Sequence, residues 1–290
     1  MKVLVTGATG YIGRHLCPLL PDVRALARDA ARAKRLLPAF AEIALGDMTD
    51  EASLKAAAKG CGAVVHLAAR KSDEPDIAEV NVEGAKRLVA ACREAGIKRV
   101  INVGSQAARM ARRGPYGETK RLSDEILMGA GLEATTLLPS VVYGPDDPGV
   151  FGKLARVAAK SPVVPVIGDG RAKYRPVHVE DVCRAIAGCL SAPSTIGKTY
   201  SVGGPETVTL EGLIDLVAAR AGKRPLKVHL PGPVAMLIAS VGASLLDSPP
   251  LSRSNVLGAI QSVPEADWNA VFAELGLTAR TIAAGLEGGI

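Results

Sequence analysis

A tyrosine and a lysine stand four positions apart in PYGETKR, residues 115–121, directly behind a proline. Proline is favoured at the first position of a helix, and positions 116 and 120 then share one helix face about one turn apart. An ammonium beside a phenol favours the phenolate. Lys120 is therefore expected to draw the Tyr116 pKa down from its usual value near ~10, fitting the hydroxyl to pass a proton to or from a substrate oxygen. Ser105 closes the apolar run RVINVGS at 99–105, eleven positions upstream of Tyr116, and is placed to hold the same oxygen by a hydrogen bond. Taken alone, Tyr-x-x-x-Lys is a common string that equally describes two solvated residues on a helix. It gains meaning only from its place in a fold.

The elements that supply that place begin at the N-terminus. VTGATGYIGRHL sets Gly7, Gly10 and Gly13 three apart, directly after a first apolar strand and at the mouth of a first helix. Glycine at these points lets the backbone turn tightly, approach a pyrophosphate and pack helix on strand, while free N–H groups at the helix start face the negative charge. Gly7, Thr9, Gly10, Tyr11, Ile12, Gly13 and Arg14 are the candidate dinucleotide contacts. In an NAD site an acidic residue at the end of the second strand accepts the ribose hydroxyls. Ala27 stands there, followed by Arg28, a fixed cation suited to a 2′-phosphate, with Arg14 as a second contact. NADP(H) is the expected cofactor and NAD(H) the alternative; the plain account of Arg28 is a solvated side chain paired with Asp29. After the third strand, GDMTD offers Asp47 to the adenine amino group and Met48 to the ring, alongside ordinary helix capping by Thr49 or Asp50.

Short apolar runs at 2–7, 23–27, 42–47, 63–69, 99–105 and 135–140 alternate with longer helical patterns, among them a helix spanning 78–96. Such alternation implies an α/β fold, a Rossmann-like doubly wound parallel sheet covered on both faces, with a smaller, mainly helical C-terminal lobe. The expected division is a dinucleotide-binding core over 1–148, completed by about 176–204, and a discontinuous substrate lobe over 149–290. Trp268 is expected in the core of that lobe.

Composition narrows the partners. With 48% hydrophobic residues, the 290-residue chain can bury a large core, and its net charge of +6 is scattered. Aromatics make up 3%, too few for a base-stacking surface, so a small-molecule substrate is expected and no nucleic acid. The five cysteines include no CxxC pair, and no histidine stands at metal-ligand spacing, so no metal is expected and the thiols read as reduced core residues of a cytoplasmic protein. The N-terminus starts on a strand pattern with no signal peptide. Residues 228–246 contain no charged side chain, but Pro231, Gly232 and Pro233 leave too short a helix to cross a bilayer. A buried lobe helix is expected there first, with a pocket wall or peripheral membrane or partner contact through 233–246 as the alternatives. His66 and His178 read as packed or hydrogen-bonded residues. Arg109, Arg112 and Arg113 read as a solvated loop first and as a means of steering an anionic substrate second.

TGATGYIG, GDMTD, HLAA, NVEGAKRLVAACREAGIKRVINVGS, YGETK and PSVVYGPDDP follow one another in an order that resembles the short-chain dehydrogenase/reductase superfamily. The resemblance is to its extended and atypical branch of NAD(P)-dependent epimerase- and dehydratase-like proteins. PVIGDGRAKYRPVHVEDV and GGPETVTL look closest to bacterial relatives of the accessory NAD(P)-binding subunit of respiratory complex I. The resemblance implies catalysis by Ser105, Tyr116 and Lys120, the last two also touching cofactor. It implies a cofactor ribose region at Leu67, Ala68 and Ala69, a carboxamide region from Pro139 through Val141 to Val142, and a supporting role for Asn81. Val103, just before Ser105, completes the candidate cofactor contacts. Both monomers and homodimers occur among such relatives.

Three departures bear on the substrate. The loop between Ser105 and Tyr116 is shorter than in sugar-nucleotide epimerases of this kind. Val141 replaces an asparagine that contacts the nucleotide diphosphate there, and Tyr174 replaces an arginine that reads the phosphates, with Arg175 displaced by one. These favour an NADP(H)-dependent oxidoreductase moving hydride to or from a carbonyl or alcohol carbon. The alternatives are a nucleotide-sugar epimerase or dehydratase with the same three residues, and a non-catalytic NADPH-binding accessory or regulatory protein.

Overall fold

The computed structural model describes residues 1–71, 74–245 and 251–287. In chain order, β1 (Val3–Thr6), α1 (Tyr11–Leu16), β2 (Val23–Ala27), α2 (Ala30–Leu36), β3 (Glu42–Leu45), α3 (Glu51–Ala58), β4 (Ala63–His66), α4 (Gly84–Glu94), β5 (Arg99–Val103), α5 (Pro115–Met128) and β6 (Glu133–Pro139) alternate as the hydrophobic pattern predicts. Every residue of β1, β4 and β5 is buried, the condition of strands covered by helices on both faces.

Beyond β6 come β7 (Val142–Tyr143), α6 (Val150–Lys160), β8 (Val163–Ile167), β9 (Lys173–Tyr174), β10 (Val177–His178), α7 (Val179–Ser191), β11 (Thr199–Val202), β12 (Val208–Thr209), α8 (Leu210–Arg220), β13 (Leu226–Leu230), α9 (Gly232–Leu245), α10 (Arg253–Ile260), α11 (Ala270–Glu274) and α12 (Ile282–Glu287). The main sheet runs β3-β2-β1-β4-β5-β6-β11, parallel throughout. From β1 the chain builds outward to β3, then crosses back to lay β4 on the other side of β1, with Thr6 opposite His66. This reversal opens a crevice at the carboxyl ends of β1 and β4, where open α/β sheets bind ligands.

Two expectations change in detail. The helix predicted over 78–96 begins with a π-helical turn, Glu79–Glu83, before α4. Its wider turn rotates Asn81 inward, where it is buried between a loop and α5. The chain after residue 205 does not stay on the lobe. Val271 and Phe272 of α11 join the core cluster beside Tyr200 and Val202, and Trp268 packs over Gly203 at the end of β11. Buried Asp181 secures this return by pairing with Arg184 and accepting from the Arg280 backbone N–H at 2.8 Å and its Nε at 3.0 Å. The lobe itself is built on Phe151, Leu213 and Ile214, with Tyr143 stacked on Phe151.

The charge-free stretch is not a buried helix. Ala235 and Ala239 of α9 pack on Val256 of α10, but Val234, Leu237, Ile238 and Val241 are 44%, 65%, 48% and 48% exposed. Met236 joins these small residues at the contact, and the opposite face stays in solvent. Leu246, the end of that stretch, lies outside the described residues. No helix among the described residues is long and apolar enough to cross a membrane, and no metal-ligating cluster occurs among them. All five cysteines are free and buried, and burial raises each thiol's pKa.

His66 is 1% exposed, bonded through Nδ1 to Thr6 Oγ1 at 2.8 Å, and burial holds its pKa down at about 3. In the unfolded chain it titrates near ~6.5, so acid protonates the unfolded state first and stability falls as pH drops from about 6.5 toward 3. His66 alone is expected to remove about 2 kcal/mol between pH 7 and pH 5, measured by urea unfolding, with the loss much reduced in His66→Asn. His15 and His178, also held down by burial, add to the slope in both proteins.

Candidate functional site

At the end of β1, Gly7 takes φ +70°, and a Cβ there would lie 2.7 Å from the Ala68 nitrogen and 2.8 Å from the Leu67 carbonyl carbon. The loops after β1 and β4 therefore touch backbone to backbone. Thr6 strengthens the contact by accepting the Ala68 N–H at 3.3 Å, which sets Leu67, Ala68 and Ala69 along the crevice. Gly10 donates to the Gly7 carbonyl at 2.9 Å and caps α1. A Cβ on Gly13 would stand 2.4 Å from the Ala8 carbonyl oxygen, so only glycine lets α1 close on the turn.

A cleft of about 520 Å³ opens over this turn, lined by Thr9, Gly10, Tyr11 and Arg14, by Arg32, Arg35 and Leu36 of α2, and by Lys71 and Pro148. Its charged lining is wholly cationic. A turn with no room for side chains beneath a basic cleft fits the pyrophosphate and adenosine of a dinucleotide. Just past the end of β2 Arg28 is 65% exposed, with Nε 3.7 Å from Asp47 Oδ2. Asp29 instead caps α2 by accepting the Arg32 N–H at 2.9 Å, so the pairing expected for Arg28 goes to Asp47. Asp47 Oδ1 accepts from the Thr49 N–H and hydroxyl, while Asp50 caps α3. Met48 is buried against Gly84 of α4 rather than open to a ring.

Across the crevice, α5 begins at Pro115 in the first helical position and lays Tyr116 and Lys120 against the end of β5. Ser105 hydrogen-bonds to Tyr116, and its Oγ also accepts the Ala107 N–H at 3.2 Å. Lys120 is buried and donates through Nζ to the Val103 carbonyl at 3.1 Å. Gly117 keeps the elements this close, since a Cβ there would lie 2.6 Å from the Ala107 carbonyl oxygen. Asn81 fixes the far side: its Oδ1 accepts the Arg70 N–H at 2.8 Å, and its Nδ2 donates to the Arg70 carbonyl and to Thr119 Oγ1, both at 3.1 Å. The expected depression of the tyrosine does not appear. Burial pushes the Tyr116 hydroxyl above its ordinary pKa, the Ser105 bond opposes this, and the Asp124 charge adds to it. Burial likewise pulls the Lys120 amine below its ordinary value. Desolvation outweighs the attraction that sequence spacing alone displays.

Facing these groups, Pro139 ends β6, Val141 accepts through its carbonyl from the Val177 N–H at 2.9 Å, and Val142 opens β7. Tyr174 is buried, its hydroxyl donating to the Gly258 carbonyl at 2.8 Å, while the Arg175 guanidinium is turned to the Gly204 and Pro205 carbonyls. Between Ser105 and Tyr116, Arg109, Arg112 and Arg113 are exposed, as expected of a solvated loop, while the loop itself is anchored at several points. Gln261 bonds both backbone groups of Arg112 at 2.9 Å, Gln106 donates to the Leu138 carbonyl at 2.8 Å, and Arg113 pairs with Glu118 at 2.9 Å.

Sequence analysis overlooked Arg32 and Arg35, whose three-residue spacing after the Asp29 cap puts both on one face of a short helix, and Asp124, one turn beyond Lys120. The repeat of four from Tyr116 was the available signal.

The sequence pattern of the NAD dependent epimerase/dehydratase family matches residues 3–203. The chain is 30% identical over 281 residues to the ceramide reductase of Caulobacter vibrioides, covering 92% of this chain and 85% of that protein. It is 28% identical over 249 residues to the mitochondrial NADH dehydrogenase [ubiquinone] 1 alpha subcomplex subunit 9 of Arabidopsis thaliana, covering 81% of this chain but 62% of that subunit's length. Among solved structures, MoeE5 in complex with UDP-glucose and NAD superposes with a TM-score of 0.78 at 26% identity, covering 99% of this chain and 97% of that one.

Gly13→Ala is expected to force α1 away from the turn and to lower stability by about 1–3 kcal/mol in urea unfolding. Dinucleotide affinity, measured by fluorescence titration at a temperature where the variant is folded, is expected to fall with it.

Proposed function

Because the chain belongs to the NAD dependent epimerase/dehydratase family, we propose that it is an NADP(H)-dependent oxidoreductase acting at a carbonyl or alcohol carbon, with Ser105, Tyr116 and Lys120 at the reacting oxygen. The observation that carries this reading is the register of α5 on β5, which brings the Tyr116 hydroxyl to Ser105 and buries Lys120 one turn away. A nicotinamide dinucleotide, held by the glycine turn and the basic cleft, supplies the hydride chemistry when bound. The chain's own residues then manage the oxygen. Ser105 orients it by a hydrogen bond. Tyr116 hands it a proton as a carbonyl is reduced, or takes one as an alcohol is oxidised. A phenol held above its ordinary pKa is fully protonated at neutral pH, the state that donation requires. Lys120, cationic and fixed by the Val103 carbonyl, stabilises negative charge developing on the phenol as the proton leaves.

Reduction is favoured over sugar-nucleotide chemistry by the lobe. Where the resemblance places a phosphate-reading arginine, the Tyr174 hydroxyl is committed to the Gly258 carbonyl, and the adjacent Arg175 is committed to two backbone carbonyls. The likeness to ceramide reductase agrees with a substrate lacking a diphosphate. The likeness to a complex I subunit favours a second reading, an NADPH-binding accessory protein. NADP(H) over NAD(H) is supported by the absence of an acid at Ala27 and by Arg14, Arg32 and Arg35 lining one cleft.

Tyr116→Phe is expected to abolish NADPH oxidation across a panel of carbonyl compounds while NADPH affinity stays unchanged; a cellular role that survives this substitution belongs to the accessory reading. Arg32→Ala and Arg35→Ala are each expected to weaken NADPH binding about tenfold or more and to leave NADH binding unaltered, by titration calorimetry. Equal affinity of the parent protein for the two dinucleotides overturns the cofactor assignment.

A further inference from the structure

Asp124 has no part in the chemistry above, yet it occupies the third position of the repeat that carries Tyr116 and Lys120 on one face of α5. Two residues of the opposing strand region are fitted to it. Asn102 of β5 donates through Nδ2 to Asp124 Oδ1 at 2.7 Å, while the same Nδ2 reaches Thr136 Oγ1 at 3.2 Å. At Gly104 a Cβ would lie 2.7 Å and 2.9 Å from the two carboxylate oxygens, so glycine is what admits them. The carboxylate is thus seated by a directed donor and a missing side chain.

One turn back on the same face of α5 stands the Lys120 amine, whose charged form the Asp124 carboxylate favours. Buried amines without a counter-charge shed their proton. On α5 the neighbours of Lys120 are Tyr116, a neutral phenol, and Asp124. From β4 it meets His66, which burial and the nearby Lys120 charge keep neutral. From the segment after β4 comes the like charge of Lys71, and β5 contributes only the Val103 carbonyl. Arg109, on the turn after Ser105, acts on Asp124 itself. Burial and Lys71 push the amine toward neutrality, and Asp124 opposes them.

We propose that Asp124 is a positioning residue, seated by Asn102 and Gly104, that keeps Lys120 protonated and so lets it serve Tyr116. The inference rests on the assignment of Lys120 to the site in the proposed function. Its direct test does not depend on turnover. In protein labelled with 13C and 15N at lysine, the Lys120 signal, identified by its loss in Lys120→Met, is followed against pH. Asp124→Asn is expected to lower the Lys120 midpoint by about one unit or more, and Asp124→Glu to restore it toward the parent value. The alkaline fall of kcat/KM should move to lower pH by the same amount, while a purely structural role would reduce kcat/KM by one factor at every pH. An unchanged Lys120 midpoint in Asp124→Asn overturns the proposal. If the parent protein reduces no carbonyl compound, the functional assignment fails and the midpoint alone still decides the role of Asp124. If Asp124→Asn does not fold, Asn102→Ala, which keeps the carboxylate but removes its donor, takes its place: a lowered midpoint supports the proposal and an unchanged one ends it.

Discussion

A helix that must present every fourth residue to the end of a single strand has one workable register, and the packing of α5 on β5 enforces it. Tyr116 meets Ser105, Lys120 meets the Val103 carbonyl, and Asp124 meets Asn102, so a little over two turns of helix descend step by step along four residues of chain. Gly117 and Gly104 set the distance, because a side chain at either would strike the opposing carbonyl or carboxylate. From the other side Asn81 pins Thr119. A slide of α5 by one residue would rotate all three polar groups by about 100° and strand them in an apolar interior.

Burial has opposite effects on the two halves of the site. Around the glycine turn the protein exposes cations and backbone N–H groups, whose charge remains available to an anion. Around Tyr116 and Lys120 it removes water, which keeps a phenol protonated and threatens the charge of an amine. A dry site strengthens every remaining electrostatic contact, so a single well-placed carboxylate or carbonyl carries more weight there than several cations do at the rim.

Much of the fold was legible because parallel strands covered on both faces must be continuously apolar, and their alternation with helices leaves few topologies. The glycine turn was legible for a similar reason: Gly7 and Gly13 are places where no Cβ fits, a constraint local enough to leave a spacing in the sequence. The site was legible as far as its residues lie on one helix or next to one strand. Arg32 and Arg35 reach the cleft from α2 and Lys71 from the segment after β4, and the two segments leave no common pattern. The direction of the Tyr116 shift was hidden because charge can be read from residue types, whereas burial depends on everything packed around them. The open face of α9 was hidden likewise: an apolar helix announces its composition, and only the neighbouring elements decide whether it is covered. The return of α11 to the core turns on Phe272 and Trp268, two apolar residues with no signal naming their partner.

The five cysteines carry a practical corollary. Each sits in the interior as a protonated thiol, and thiolate is the nucleophilic form, so maleimides and iodoacetamides meet almost no reactive sulfur on the native protein. One cysteine engineered on the outer side of the lobe becomes a unique attachment point for a fluorophore. Any change at the lobe when dinucleotide is added can then be timed by stopped flow without first stripping the native thiols from the core.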